Sequence, residues 1–273
     1  MQGMDDHTGT LQDVGDILRD WRHRRHLSQR ALADAAGISA SLLGAIETGR
    51  DMPSRDTLMF LSEALDIPLR ARNVILNAAG YDAAFPIRVL DDPVLADIAA
   101  MVEQIVKRQA PCPAVAIDRR WRIVATNGVL RHLIAGVDPT LLAKPLNWAR
   151  IVLHPAGLAP RIANLSEWRD HMSMRLRRLF DRTGDADVAD LLEEIADYPI
   201  PATRVSGQAA DPMALPLRLM TLDGLLTFYS LTSVFGSAVD VTLAELSIDT
   251  LYPADDATAA LMRQFAALPA TTG

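Results

Sequence analysis

The chain has 273 residues, of which 49% are hydrophobic and 22% charged, a composition typical of globular domains. Its length suggests about two domains, each large enough for its own core. No segment approaches the roughly 18 uninterrupted apolar residues of a membrane helix, and the polar N-terminus lacks the apolar run of a secretory signal. We therefore expect a cytoplasmic protein without a membrane partner.

The net charge of −7 makes the chain acidic overall, but the charge is unevenly distributed. Between residues 19 and 55, seven arginines face only four acidic residues. Contacts with phosphate depend on charge near the interface, because salt screens more distant charges. The N-terminal part of the chain is therefore compatible with a nucleic-acid partner.

The first 80 residues predict a small helical domain. Residues 1–10 are polar, and we expect a disordered tail there. From Val14 onward, apolar residues recur at helical spacing and predict a first helix. Its other faces carry an arginine cluster, suited either to phosphate contact or to solvation, formed by Arg19, Arg22, Arg24 and Arg25. Further apolar stripes predict two helices within residues 27–50 and two more before Gly80, which makes five short helices in all.

Residues 27–50 read L-S-Q-R-A-L-A-D-A-A-G-I-S-A-S-L-L-G-A-I-E-T-G-R and predict two helices joined by a tight turn. Ser28 and Ser39 are each placed to cap a helix, because a serine hydroxyl accepts a hydrogen bond from a first-turn backbone N–H. Gly37 permits the left-handed turn between the helices. The second helix has a face of small or polar side chains, which the major groove of DNA can admit.

This stretch resembles the Xre/Cro family of helix-turn-helix repressors from about Val14 to Ala79, through S-Q, L-A, G-I-S and I-E-T-G-R. The resemblance implies an all-α domain over residues 11–80 that binds a double-stranded DNA operator. The implied DNA contacts are Gln29, Arg30, Ser39, Ala40, Ser41, Ala45, Thr48 and Arg50. Because alanines offer no hydrogen bonds, we expect few base contacts and some recognition of DNA shape. The alternative is a helical hairpin used only for protein contacts.

The rest of the chain predicts a second domain of another class. Residues 81–93 are irregular and contain two prolines, which predicts a linker. Residues 94–273 then give an amphipathic helix, a β-hairpin, several helices, a final group of strands and a terminal helix. Asp223-Gly224 between apolar runs indicates a hairpin in that final group. This order predicts an α+β domain whose antiparallel sheet is covered by helices on one side.

Three blocks, 111–127, 147–155 and 235–255, resemble the ligand-binding domain of MmyB-like transcription regulators, and the resemblance covers most of residues 85–268. It implies a PAS-like sensor fold, with a fatty acid as a ligand seen in that fold. We place an acyl tail among Val115, Trp121, Ile123, Leu133, Trp148, Leu176, Leu226 and Phe228. The candidates for the polar end are Asn127, Arg131 and His154. Their structural alternatives are a turn at a strand end, a surface charge and a helix cap.

An enzyme is the rival class of protein. The sequence contains no G-x-S-x-G, H-E-x-x-H, G-x-x-x-x-G-K-[ST] or G-x-G-x-x-G motif, and its six histidines show no metal-ligand spacing. The single cysteine, Cys112, excludes an internal disulfide and a cysteine-based zinc cluster. We therefore expect no catalytic residues, no cofactor and no metal.

These patterns together predict a sequence-specific transcriptional regulator whose C-terminal domain, residues 94–273, senses a small apolar ligand such as a fatty acid. Symmetric operators require two DNA-binding domains, so we expect a homodimer. The alternative is a DNA-binding regulator whose C-terminal domain only dimerises or binds a protein partner.

Overall fold

The computed structural model describes residues 6–88, 96–199, 215–236 and 240–268. They divide into two compact units: an N-terminal helical unit and a second unit that holds a β-sheet. Of the linker predicted at residues 81–93, the part from residue 89 onward lies outside the described residues.

Five helices build the N-terminal unit, which confirms the helical fold that the sequence predicts. They are α1 (Asp6–Arg24), α2 (Gln29–Ala36), α3 (Ala40–Glu47), α4 (Arg55–Ala64) and α5 (Leu69–Ala78). The disordered tail predicted for residues 1–10 was wrong for residues 6–10, because α1 begins at Asp6. Apolar spacing starts only at Val14 and gives no signal for an earlier helix start. Residues 1–5 lie outside the described chain.

Serine caps fix where three of these helices begin. Ser28, Ser39 and Ser54 each accept a hydrogen bond at 3.1 Å from a backbone N–H of the first turn. Gly37 ends α2 with φ of 69°, a left-handed conformation that glycine adopts without steric cost. The capping roles predicted for Ser28 and Ser39, and the turn predicted at Gly37, are confirmed.

The core of the N-terminal unit holds α3 closely against α1. Gly15 of α1 permits this approach, since a Cβ atom there would lie 2.5 Å from the carbonyl oxygen of Ile46. The fully buried side chains around this contact are mainly branched and aliphatic: Val14, Leu18, Leu32, Leu43, Ile46, Leu58, Leu61, Ile75 and Leu76. The inner face of α3 is therefore packed, and its orientation is set by the helices beneath it.

The second unit combines seven helices with five strands among the described residues. The helices are α6 (Ala96–Arg108), α7 (Gly128–Leu133), α8 (Trp148–Leu153), α9 (Leu165–Thr183), α10 (Ala186–Ala196), α11 (Val241–Ala244) and α12 (Asp256–Ala267). The strands are β1 (Ala114–Ile117), β2 (Ile123–Thr126), β3 (Leu217–Thr221), β4 (Gly224–Val234) and β5 (Ser247–Pro253). The α+β class predicted from the sequence is confirmed.

The strands form one antiparallel sheet in the order β2-β1-β5-β4-β3. Thr221 pairs with Gly224 across the turn between β3 and β4, so the hairpin predicted at Asp223-Gly224 is confirmed. The central position of β5 brings the last strand in sequence between two earlier hairpins. Residues distant in the chain therefore meet on the inner face of the sheet.

Side chains alternate between the two faces of the sheet, as the strand period requires. Val115 and Ile117 of β1 point into the main core with α7, α8 and α9. Ala114 and Ala116 lie on the other face, in a smaller cluster with Val102 of α6. Helices therefore cover both faces at β1, whereas the sequence predicted cover on one side. The amphipathic pattern of α6 did not reveal which surface it would cover.

Candidate functional site

The exposed face of α3 is the first candidate site, and the residues predicted to contact DNA lie on or beside it. Ser39, Ala40, Ser41 and Thr48 are exposed, and Ala45 is half-buried. The hydroxyl of Ser41 lies 3.0 Å from that of Ser39, and the hydroxyl of Thr48 donates to the Gly44 carbonyl at 2.7 Å. This face is small, polar and free of bulky groups, which suits close approach to a groove.

Three longer polar side chains flank that face. Gln29 is the first residue of α2, and its side-chain amide donates to Glu47 Oε2 at 2.8 Å. Arg30 is exposed. Arg50 is also exposed, and its Nε donates to the Thr48 hydroxyl at 2.9 Å. The two guanidinium groups therefore offer positive charge on either side of the turn-and-helix segment.

A buried ion pair ties α3 to α1. Arg22 donates from Nε and Nη2 to the two carboxylate oxygens of Glu47, at 2.7 and 2.9 Å, and Glu47 is only 1% exposed. Burial alone would raise the pKa of Glu47, but hydrogen bonds from Arg22 and Gln29 outweigh it, so the pKa is lowered. Such a bidentate contact holds α1 and α3 in a defined relative position and also compensates the buried charge.

The sequence left two roles open for the arginine cluster of the first helix, phosphate contact or solvation. The structure gives two members of the cluster other roles. Arg22 is buried and occupied by Glu47, so it fits neither alternative. Arg25 donates to the carbonyl oxygens of Leu65 and Asp66, at 2.8 and 2.9 Å, and links α1 to the end of α4. The sequence does not reveal these contacts, because the partners are 25 to 41 residues apart.

The second candidate site is a small cavity between the inner face of the sheet and helices α7, α8 and α9. Its apolar lining is Pro113, Val115, Leu130, Trp148, Val152, Trp168, Met172, Leu217 and Leu251, and its polar lining is Arg175, Ser230 and Asp249. In this conformation it has room for about one water molecule. We refer to this space as the α9 cavity.

An ion pair closes the polar side of the α9 cavity. Arg175 of α9 donates from its two terminal nitrogens to the two oxygens of Asp249 in β5, at 2.9 and 2.8 Å. Thr232 also donates to Asp249 at 2.6 Å. The guanidinium lies 4.9 Å from the centre of the Trp121 ring, at cation–π distance. The acid is 2% exposed, and its charge is compensated by these partners.

Trp168 lines the α9 cavity, and His171 lies beside it on α9. Their rings stack with centroids 5.1 Å apart. Burial, assisted by the charge of Arg175, lowers the pKa of His171, so its ring is neutral at about pH 7. The indole Nε1 of Trp168 is buried and has no hydrogen-bond partner within the described part of the chain.

The structure places the residues predicted for ligand binding in three different situations. Val115 and Trp148 line the α9 cavity. The other residues predicted for the acyl tail belong to the surrounding core or pack against it without lining the space: Trp121, Ile123, Leu133, Leu176, Leu226 and Phe228. Asn127, Arg131 and His154, the candidates for the polar end, also lie outside the lining, where Arg175, Ser230 and Asp249 stand instead.

Each of the three polar candidates lies in other surroundings. Asn127 is 2% exposed; it accepts from the backbone N–H of Leu130 at 3.1 Å and donates to the Cys112 carbonyl at 2.8 Å. Arg131 is exposed on α7. His154 follows α8, where its Nδ1 accepts from the Ala156 N–H at 3.0 Å. Burial or local hydrogen bonding therefore accounts for Asn127 and His154.

The sequence around Asp249 carries a signal for a buried acid. Asp249 and Leu251 are two residues apart in one strand, so both side chains face the same side of the sheet. An acid on a buried face requires a cation or several hydrogen bonds. Its partner could not be read from the sequence, because Arg175 lies 74 residues away on a helix rich in arginine.

No group of three or more His, Cys, Asp or Glu side chains within the described ranges could hold a metal ion. None of the helices described is long and apolar enough to cross a membrane.

Known proteins resemble the two parts of the chain separately. Residues 18–71 match a helix-turn-helix family, and residues 98–265 match the MmyB-like transcription regulator ligand binding domain. The chain is 32% identical over 75 residues to the ImmF control region 10 kDa protein of Bacillus phage phi105, which is 26% of this chain and 83% of that protein. It is 39% identical over 67 residues to the transcriptional regulator ClgR of Mycobacterium tuberculosis, which is 24% of this chain and 57% of ClgR.

A solved structure also matches over part of the chain. The restriction-modification controller protein C.AhdI from Aeromonas hydrophila is 34% identical, with 23% of this chain and 97% of that chain covered and a TM-score of 0.23. The ligand-binding match over residues 98–265 includes more than half of the chain, and the helix-turn-helix match precedes it. The chain therefore belongs to the MmyB-like transcription regulators, as a DNA-binding regulator with an N-terminal helix-turn-helix and a ligand-binding domain.

Proposed function

We propose that this regulator recognises a specific operator through the exposed face of α3 and responds to a small apolar ligand bound in the α9 cavity. The observation that carries the proposal is the apolar lining of this cavity, with two tryptophans and one flexible methionine, in the ligand-binding domain. Transcription regulators must reach the DNA, so we expect the protein in the cytoplasm.

The proposed DNA interface follows from exposure and charge. Ser39, Ala40, Ser41, Ala45 and Thr48 would approach base edges, with apolar contact to thymine methyl groups and few hydrogen bonds. The flanking residues Gln29, Arg30 and Arg50 would contact phosphates. DNA shape would then contribute a larger share of specificity than in interfaces with long amide side chains.

An alkyl chain, such as that of a fatty acid, is our candidate for the apolar part of the ligand, and it fits only if the α9 cavity widens. A space for one water molecule does not hold an acyl chain. Met172 lines the cavity, and methionine side chains adapt readily to new surroundings. If only a fraction of the molecules adopts the wider conformation, the apparent affinity for the ligand is lowered in proportion to that fraction.

Ligand binding would control DNA binding through the arrangement of two copies. A homodimer places two α3 helices at a fixed spacing, and a ligand that prefers one arrangement shifts its population. Coupling between such sites is typically about 1–3 kcal/mol, or roughly 5- to 150-fold in affinity.

One observation favours the second candidate, in which the sheet domain only dimerises or binds a protein. The outer face of β4 exposes Leu225, Tyr229 and Leu231 by 48%, 45% and 54%. Exposed apolar residues grouped on one surface are typical of interaction sites.

Native mass spectrometry of the purified full chain followed by denaturation separates the two candidates. A small molecule lost on unfolding, together with a change in operator affinity when it is added back, supports the sensor. A dimer that carries no small molecule, and whose operator affinity is indifferent to both fatty acids and alkyl amides of several lengths, contradicts the sensor and supports the dimerisation domain.

A further inference from the structure

The charges that line the α9 cavity are already balanced. Arg175 and Asp249 are the charged members of the lining, and they make two hydrogen bonds to each other at 2.9 and 2.8 Å. Asp249 is 2% exposed and accepts a further hydrogen bond from Thr232 at 2.6 Å. A ligand anion in this space would approach a buried acid, and it would have to compete with that acid for Arg175.

The lining also contains a donor that lacks an acceptor. Trp168 is 4% exposed, borders the cavity, and has no partner for its buried Nε1 within the described residues. An indole nitrogen only donates hydrogen bonds. A buried donor left without a partner destabilises the folded state, so a ligand that supplies an acceptor gains binding free energy here.

We propose that the head group bound in the α9 cavity is uncharged and accepts a hydrogen bond from Trp168, as the carbonyl group of an amide, ester or lactone does. A neutral carbonyl leaves the Arg175–Asp249 pair intact and satisfies the indole N–H. An ionised carboxylate adds a second negative charge beside Asp249 and loses more hydration on burial. This inference rests on the sensor role proposed above and specifies the ligand class that the sensor distinguishes.

Matched short amphiphiles test the head group directly. Isothermal titration of the full chain at about pH 7 compares octanamide with octanoate, because the carboxylate is ionised there and the alkyl chains are the same length. We expect octanamide to bind at least about tenfold more tightly, since burying an unpaired charge is costly. Tighter binding of octanoate would overturn the proposal on the head group while leaving the sensor role standing.

Two tryptophan variants separate the hydrogen bond from the loss of ring area. Trp168→Phe removes the N–H and keeps an aromatic ring, so octanamide affinity should fall about three- to tenfold while octanoate affinity changes less. Trp148→Phe makes the same replacement at a second lining residue. The indole nitrogen of Trp148 is not among the buried atoms that lack a hydrogen-bond partner. Trp148→Phe should change both affinities in similar proportion. If Trp168→Phe lowers the affinity for octanamide and the affinity for octanoate by the same factor, the assigned hydrogen bond is wrong.

Asp249→Asn provides an independent charge test. This variant removes the negative charge at nearly constant shape and leaves Arg175 to attract an anion, so the preference for octanamide should fall at least about tenfold. Circular dichroism checks the fold, and Thr232→Val, which removes one hydrogen bond to Asp249 but keeps its charge, is the control variant that should retain the preference for octanamide. An unchanged preference for octanamide in folded Asp249→Asn contradicts the charge argument. Binding of neither probe, nor of their shorter homologues, to the wild type contradicts the sensor role itself.

Discussion

Glu47, the last residue of α3, accepts hydrogen bonds from Arg22 of α1 at 2.7 and 2.9 Å. The pair also engages Gln29, the first residue of α2, at 2.8 Å. One buried carboxylate therefore joins the three helices that set the position of the proposed DNA interface.

We expect Arg22→Ala to destabilise the N-terminal unit by about 3 kcal/mol, because it leaves the Glu47 charge buried without its main partner. Amide hydrogen exchange of the full chain should show lost protection in α1 and α3 and unchanged protection in β5. Arg24→Ala, at an exposed neighbour on α1, is the matched control. Equal protection in both variants would show that the pair contributes little to stability.

The lowered pKa of Glu47 gives this stabilisation a defined pH dependence. A carboxyl group whose pKa is lowered by folding stabilises above its unfolded pKa, near 4.5, and loses that contribution as the pH falls through the folded value. The difference in unfolding free energy between the wild type and Glu47→Gln should therefore shrink below about pH 4.5. Denaturant titrations of the N-terminal transition at several pH values measure it. A difference that stays constant down to about pH 3 would be inconsistent with this origin.

Arg30→Ala and Arg50→Ala should each weaken DNA binding across all sequences and reduce the salt slope of log K by about one. Fluorescence anisotropy with operator and random duplexes at several salt concentrations measures both effects. Lys107→Ala makes the same change in net charge at an exposed residue of α6. If Lys107→Ala alters the slope as much as the two arginine variants do, net charge rather than local contact is responsible.

Asn127→Ala should cost about 2 kcal/mol of stability in the second unit, because it removes a helix cap and leaves the Cys112 carbonyl without its donor. Thermal unfolding and ligand titration together check this prediction. The ratio of affinities for two ligands with different head groups should not change, since the side chain lies outside the cavity lining. A changed ratio at unchanged stability would restore Asn127 as a ligand contact.

Met172→Ala should enlarge the α9 cavity and raise affinity for longer alkyl chains, while the unliganded protein loses about 2–5 kcal/mol. Leu176→Ala is the matched control, because this residue is fully buried one turn further along α9 without lining the cavity. Thermal shift with alkyl amides of increasing length compares them. A gain of affinity in both variants would place Leu176 in the ligand site.

Local patterns were sufficient to predict the elements of the fold. Serine caps at residues 28 and 39 and the turn at Gly37 predicted where α2 begins and ends and where α3 begins, because capping depends on neighbours within four residues. Asp223-Gly224 predicted the β3–β4 hairpin for the same reason. The predicted terminal helix is also present, and it spans Asp256–Ala267.

The contacts that build the two sites could not be predicted in this way. The Arg22–Glu47 and Arg175–Asp249 pairs join residues 25 and 74 positions apart. Both α1 and α9 carry several other arginines, and the sequence does not show which of them pairs with the acid. Only the packing of the helices and the place of β5 in the sheet select the partners. The polar end of the cavity therefore had to come from the structure.

The division of α3 into a packed inner face and a bare outer face has an evolutionary consequence. Leu43 and Ile46 lie in the core, while Ser41 and Ala45 have no part in it. Substitutions at Ser41 and Ala45 can accumulate with little effect on folding, so a duplicated gene could acquire a new operator within a few mutations. The small side chains now present would make this protein a permissive starting point for such divergence.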